Sequence, residues 1–365
     1  MHNELNELFN PKKYSKSINI NGISKNNLTN FLRKMLLIRK VENKVATLLK
    51  QKIINCPSHL CTGQEAISVG VLSNCKKGDM IYGNHRSHGH YLALGGNVKK
   101  FFYEVQGKVD GCSNGMGGSM HLVDRKVGFE GSVPIVAGTI PIAVGAALKS
   151  KMKKDKSIAI AFFGDGACEE GTFHESLNFA SINSLPIIFV AENNLFSSHL
   201  DIHLRQPSNK LSRYATAHKI ENYCLDGNDV AKIFRTVRSK IKKLRSGSGP
   251  LFLECVTYRH LGHVGPETDI DVGVNRKIKD LNLWKRNDPI KRMINTLVKK
   301  NISGLMNCYL TQSNSEQIAQ KIDAVLSDSN RSNGREQIFK RQLDSVSVAK
   351  QLIEIYKRQL CKEQS

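Results

Sequence analysis

Two short polar clusters in this sequence carry oxygen donors of the kind that a hard cation takes. Phe163-Gly164-Asp165-Gly166 closes one apolar run and Asn193-Asn194 closes the next, with residues 167–192 between them. A carboxylate oxygen of Asp165, an amide oxygen of Asn194, a nearby backbone carbonyl, and phosphate or water oxygens would complete an octahedral Mg²⁺ set. The glycines let the backbone approach a diphosphate, and the start of the following helix adds free N–H groups and its dipole. Gly-Asp-Gly alone is a common strand-end turn. Its coupling to Asn-Asn at this distance, with a strand before each, points to a metal and phosphate site.

Histidine and arginine recur in three further segments: His59 in HLCTGQEA, His85-Arg86-Ser87-His88-Gly89-His90, and Tyr258-Arg259-His260-Leu261-Gly262-His263. A guanidinium can grip phosphate oxygens in a bidentate fork. An imidazole near neutral pH can donate or accept a proton at a reacting carbon. An isolated HRxHGH is equally a solvated loop, so these segments gain meaning from their company. Gly111–His121 (GCSNGMGGSMH) is Gly-rich, which by itself describes a flexible surface turn, and His121 receives no role. His174 and the pair Glu169-Glu170 read as helix-face residues.

Such groups need a scaffold that brings distant segments to one crevice. The runs 157–163 (SIAIAFF), 186–191 (PIIFVA) and 251–257 (LFLECVT) are apolar on both faces, as strands buried between helical layers are. Helical patterns lie between them at 141–153, 167–183 and 228–245, and another spans 28–52. The alternation predicts an α/β fold with a doubly wound, mainly parallel sheet. In such a sheet, ligands bind outside the carboxyl ends of the strands, so Asp165 and Asn194 are delivered to one crevice. Residues 1–27 read as a loose polar arm, 28–300 as the main domain, and 301–365 as a helical extension with helices near 315–328 and 335–360.

GDGACEEGTFHESLNFASINSLPIIFVAENN resembles the thiamine-diphosphate fingerprint of the α subunits of 2-oxo acid and acetoin dehydrogenase E1 components. The resemblance runs from about residue 28 to 290. It implies the thiamine-diphosphate-binding fold, with Asp165, Asn194 and the carbonyl of Phe196 on Mg²⁺, and Gly166 and Ala167 on the diphosphate. It also implies that Arg86 binds diphosphate, that His85 lines the cofactor, and that His59, His88 and His263 serve catalysis. Ser132–Gly138 is similar to the segment whose backbone touches the aminopyrimidine, through Pro134 and Val136. Proline loses only its N–H, so the Pro134 carbonyl can still accept.

The family further implies oxidative decarboxylation of a 2-oxo acid with acyl transfer to a lipoyl-bearing E2. The activating glutamate would reside on a separate β subunit, in an α₂β₂ assembly. His85 in the place of tyrosine leans towards the acetoin-type branch, while pyruvate is the default by family frequency. Another thiamine-diphosphate enzyme class is the alternative within enzymes.

Composition bears on the rival classes. The formal net charge is +22, but lysine and arginine are spread along the chain with no nucleic-acid-binding pattern, so a basic nucleic-acid-binding protein is the weaker alternative. Nine scattered cysteines without a Cys-x-x-Cys argue against a disulfide framework or structural zinc and fit a reducing cytoplasm. No apolar run reaches membrane-span length, and the start of the chain resembles neither a secretory signal nor a transit peptide.

Overall fold

The computed structural model describes residues 10, 11, 17–269 and 276–300. The helices expected near 315–328 and 335–360, and the extension 301–365, lie outside the described residues.

Six strands form one sheet: β1 (Met80–Gly83), β2 (Phe129–Ser132), β3 (Ala159–Gly164), β4 (Ile187–Asn193), β7 (Glu221–Asp226) and β8 (Leu251–Val256). Their order is β2-β1-β3-β4-β8-β7, and every pairing is parallel. A separate antiparallel pair, β5 (Phe196–Ser197) and β6 (Leu200–Asp201), follows β4. The predicted doubly wound parallel sheet is therefore present. The three central strands match the apolar runs to within a few residues, whereas β1, β2 and β7 carry too little apolar pattern to stand out.

The uniformly apolar strands are explained by two cores. Ile160, Phe162, Ile188, Val190, Leu251 and Leu253 face one layer with the helices α1 (Lys25–Lys50), α2 (Glu65–Leu72) and α8 (Val230–Arg245). Ala159, Ala161, Phe163, Ile187, Phe189 and Phe252 face the other, with α5 (Thr139–Lys153) and α6 (Gly171–Ile182). Successive strand residues point to opposite faces, so both parities must be apolar.

Helix α1 starts at Lys25 because Ser24 caps it, its side chain accepting from the Asn27 N–H. Its buried residues Leu28, Phe31, Leu32, Met35, Ile38, Val41, Val45 and Leu48 recur every three or four positions. The arm expected over 1–27 differs in its described part. Ile18, Ile20 and Ile23 are buried in the first core, so the chain is packed from there on. A second difference lies after β3. The helix expected from 167 is preceded by a 3₁₀ turn at Asp165–Glu169, and α6 begins only at Gly171. The turn keeps Asp165 at the sheet edge rather than rotating it onto a helix face.

Because all six strands run the same way, their carboxyl ends share one edge. The segments that leave it are 84–87 after β1, 133–138 after β2, 165–169 after β3, 194–195 after β4 and 257–269 after β8.

Candidate active site

These segments border a cleft that opens to solvent and, counted with that opening, spans about 910 Å³. His59, His85, Arg86, Pro134, Val136, Asp165, Gly166, Ala167, Asn194, Phe196 and His263 all line it. Of the residues given a site role from the sequence, His88 alone is elsewhere. It is fully buried, with Nδ1 2.5 Å from Glu42 Oε1 and Nε2 2.7 Å from Ser119 Oγ. Both ring nitrogens are committed, so the expected catalytic place for His88 is corrected to a buried link between α1 and the Gly-rich loop. Nothing in the HRxHGH pattern distinguishes the imidazole that turns inward.

Asp165 is 1% exposed, and Asn194 projects from the end of the neighbouring strand. The Asn194 amide nitrogen donates to Gln64 Oε1 at 3.4 Å, and its oxygen accepts from the Phe196 N–H at 3.4 Å. Leu195 takes φ +74°, which reverses the chain between Asn194 and Phe196. Burial raises the Asp165 pKa, opposed by the Arg205 guanidinium, which pairs with Asp165 Oδ2 and with Glu169. Glu169, read from sequence as a helix-face residue, thus sits in the 3₁₀ turn and holds a buried arginine. Gly166 permits a close approach, since a Cβ there would stand 2.3 Å from Ser197 Oγ.

On the opposite wall, Arg86 is 5% exposed. It donates from Nη1 to the Leu60 carbonyl at 2.9 Å and from Nη2 to the His263 carbonyl at 3.0 Å. Burial lowers its pKa to about 10, so it remains a cation at neutral pH. Arg259 is buried as well. Nη2 donates to the Ser198 carbonyl at 2.8 Å, but Nε and Nη1 have no hydrogen-bond partner. A desolvated guanidinium with two idle donors is costly unless an anion meets it. Its charge is felt by Arg86 and Asp165, so it lies near the site, although it is not among the residues that line the cleft. The sequence reading gave YRxxGH its weight through His263 and passed over this arginine. The signal available was its position just beyond a buried strand.

His59, His85 and His263 meet at the mouth, with ring centroids 4.6, 4.8 and 5.5 Å apart. Burial and then the Arg86 cation lower all three, to about 3, about 2 and about 3. They are therefore neutral imidazoles at physiological pH. The turn that carries Tyr258–His260 is fixed against Gly63 (φ +98°), where a Cβ would meet His260 Cδ2 at 2.6 Å and the Tyr258 carbonyl at 2.8 Å.

The Gly-rich loop is not a loose turn. Glu104, fully buried at the end of α4 (Val98–Val105), accepts from the N–H groups of Ser113, Gly115, Gly117 and Gly118 at 2.6 to 3.1 Å. A sequence reading has no way to pair that glutamate with a loop nine to fourteen residues ahead.

The profile of the family described as Dehydrogenase E1 component matches residues 33–336. The chain belongs to that family. The α subunit of the acetoin:2,6-dichlorophenolindophenol oxidoreductase of Bacillus subtilis is 36% identical over 268 residues, covering 73% of this chain and 80% of the relative. The pyruvate dehydrogenase E1 α subunit of Rhizobium meliloti is 31% identical over 297 residues, covering 81% and 82%. That of Zymomonas mobilis is 33% identical over 268 residues, covering 73% and 75%. E1 dehydrogenases are thiamine-diphosphate-dependent oxidoreductases, which agrees with the fingerprint residues that line the cleft. Among the described residues, no helix is long and apolar enough to cross a membrane.

Proposed function

We propose that this chain is the α subunit of a 2-oxo acid dehydrogenase E1 component of the pyruvate type, working in the cytoplasm with a separate β subunit as α₂β₂. The observation that carries the reading is a paired one. Asp165 and Asn194 stand at the ends of adjacent parallel strands, and the buried guanidinium of Arg86 lines the same cleft, with that of Arg259 nearby.

These residues fit a metal-bound diphosphate. The idle Nε and Nη1 of Arg259 supply donors for phosphate oxygens, as does Arg86. Arg205 engages one oxygen of Asp165, which suits monodentate binding of Mg²⁺ by the other, with Asn194 Oδ1 and the Phe196 carbonyl completing the protein's share. The open backbone at Gly166 and Ala167 lets the diphosphate approach, and Pro134 and Val136 border the aminopyrimidine position. When bound, thiamine diphosphate supplies the carbanion that adds to a substrate carbonyl and the sink for the electrons of the bond that breaks.

His59, His85 and His263 surround the substrate path. As neutral imidazoles they orient a carbonyl or hydroxyl oxygen by hydrogen bonds. The β subunit supplies the glutamate that faces the aminopyrimidine, and a lipoyl-bearing E2 takes the acyl group. The His85 ring, where many relatives carry tyrosine, favours a second reading. In it the substrate is acetoin, an uncharged hydroxyketone suited to a mouth of uncharged imidazoles.

The test is to purify the tagged chain from cells that also express its β-type partner, and to measure bound cofactor and turnover. A stoichiometric partner, Mg²⁺-dependent thiamine diphosphate binding and turnover of pyruvate or acetoin are expected. A lone chain that binds no cofactor in the presence of such a partner rejects the proposal.

A further inference from the structure

Three loops from different parts of the chain bring His59, His85 and His263 together. Each ring offers one nitrogen, and these nitrogens lie within 4.8 Å of one another. The rings meet edge to face, at 67°, 80° and 62°, rather than stacking. We propose that these three imidazoles form a second metal site, distinct from the oxygen-lined position at Asp165 and Asn194. It takes a borderline divalent ion such as Zn²⁺ on three nitrogens and a water.

His59 is 93% buried and its Nδ1 has no hydrogen-bond partner. The Arg86 Nη2 donor 3.2 Å from His263 Nδ1 engages that nitrogen's lone pair and leaves the ring proton on Nε2, so ligation requires the metal to replace Arg86 at Nδ1 or the proton to move off Nε2. Zn–N bonds of about 2.0–2.1 Å in a tetrahedron set N···N near 3.4 Å, so closure needs shifts on the order of 1 Å, within the reach of side-chain torsions. The low proton affinity of all three rings means that no net proton release is required at neutral pH.

Charge limits the affinity. Arg86 and Arg259 oppose a cation here, and the nearest compensating group on the same loop is Asp269, which accepts from the His263 N–H and faces His199 Nε2 at 3.1 Å. The site is therefore weaker than a closed structural zinc centre. Ligand type separates the two metals, because imidazole selects Zn²⁺, Cu²⁺ or Ni²⁺ while Mg²⁺ prefers oxygen. An ion held here stands across the substrate path, so its inhibitory consequence rests on the function proposed above. The binding itself does not.

The experiment titrates Co²⁺ into the metal-stripped full chain, alone and with its β-type partner, and follows visible absorption. One equivalent of Co²⁺ with the intensity of a four- or five-coordinate nitrogen site is expected, bleached by Zn²⁺ and unaffected by millimolar Mg²⁺. His85→Tyr and His263→Gln should each weaken binding by about tenfold or more, with circular dichroism confirming an unchanged fold. No absorption up to millimolar Co²⁺, a weak six-coordinate spectrum, thiolate charge-transfer bands from the free cysteines, or wild-type affinity in both folded variants would overturn the proposal. Since every ligand belongs to this chain, a missing partner or an inactive enzyme does not decide the outcome.

Discussion

The Arg205 guanidinium forms an ion pair with Asp165 across forty residues of sequence, and both side chains are buried. Its other end pairs with Glu169, and Gln206 Nε2 donates to the same Glu169 oxygen at 2.8 Å. Asp165 therefore meets the cleft with one oxygen already committed. This fixes the rotation of the carboxylate, and the Arg205 charge opposes the rise in pKa that burial imposes.

Asp165→Asn removes the charge but retains the shape. It should leave the fold intact and weaken Mg²⁺-dependent thiamine diphosphate binding by about 10- to 100-fold. Calorimetric titration of the α·β complex at fixed Mg²⁺ measures this. Unchanged affinity would place the metal elsewhere.

Arg259→Met should move two measurements in opposite directions. Without cofactor, an under-partnered buried cation disappears, so stability should be unchanged or rise by about 1–3 kcal/mol. Diphosphate binding should fall, by about 1.5–3 kcal/mol. Thermal denaturation with and without thiamine diphosphate reads both. Destabilisation without cofactor would show that the Ser198 contact matters more than the cost of the idle donors.

Glu104→Ala should cost about 3 kcal/mol or more, because four backbone N–H groups lose their acceptor together. Chemical denaturation measures the loss, and limited proteolysis should cut within 111–118. A variant that resists the protease there would mean that the loop holds itself.

The histidines' share of the pH dependence has a definite sign. His59, His85, His260 and His263 are held far below the ordinary value, at about 3, 2, 3 and 3. Between about pH 6.5 and 3 the unfolded chain binds protons that the folded chain refuses, so stability is lost as pH falls through that window. Each histidine contributes at most about 1.4 kcal/mol per pH unit, less where solvent screens it. Asp226, raised to about 6 by burial, works in the opposite direction, so the check is a difference: between pH 7 and pH 5 the cofactor-free His85→Tyr variant should lose less stability than the parent chain. An equal slope in the variant would refute the assignment to His85.

The central strands and the Asp165–Asn194 pair were legible in the sequence for a physical reason. A strand covered on both faces must be apolar at both parities, and the end of such a strand is marked by the first glycine or polar residue after it. The segments around His59, His85, Arg86, Pro134 and His263 were legible through their resemblance to the E1 family, and all of them line the cleft.

Orientation and long-range pairing were decided only by the tertiary structure. His85 and His88 are three residues apart, yet one faces the cleft and the other is locked between Glu42 and Ser119. Arg205 reaches Asp165, Glu104 gathers the glycine loop, and Arg259 keeps two donors idle beside the diphosphate position proposed here. Local sequence fixes which groups a segment carries and which strand delivers them. Which way a side chain turns depends on neighbours tens of residues away, and those meet only when the parallel strands align their carboxyl ends.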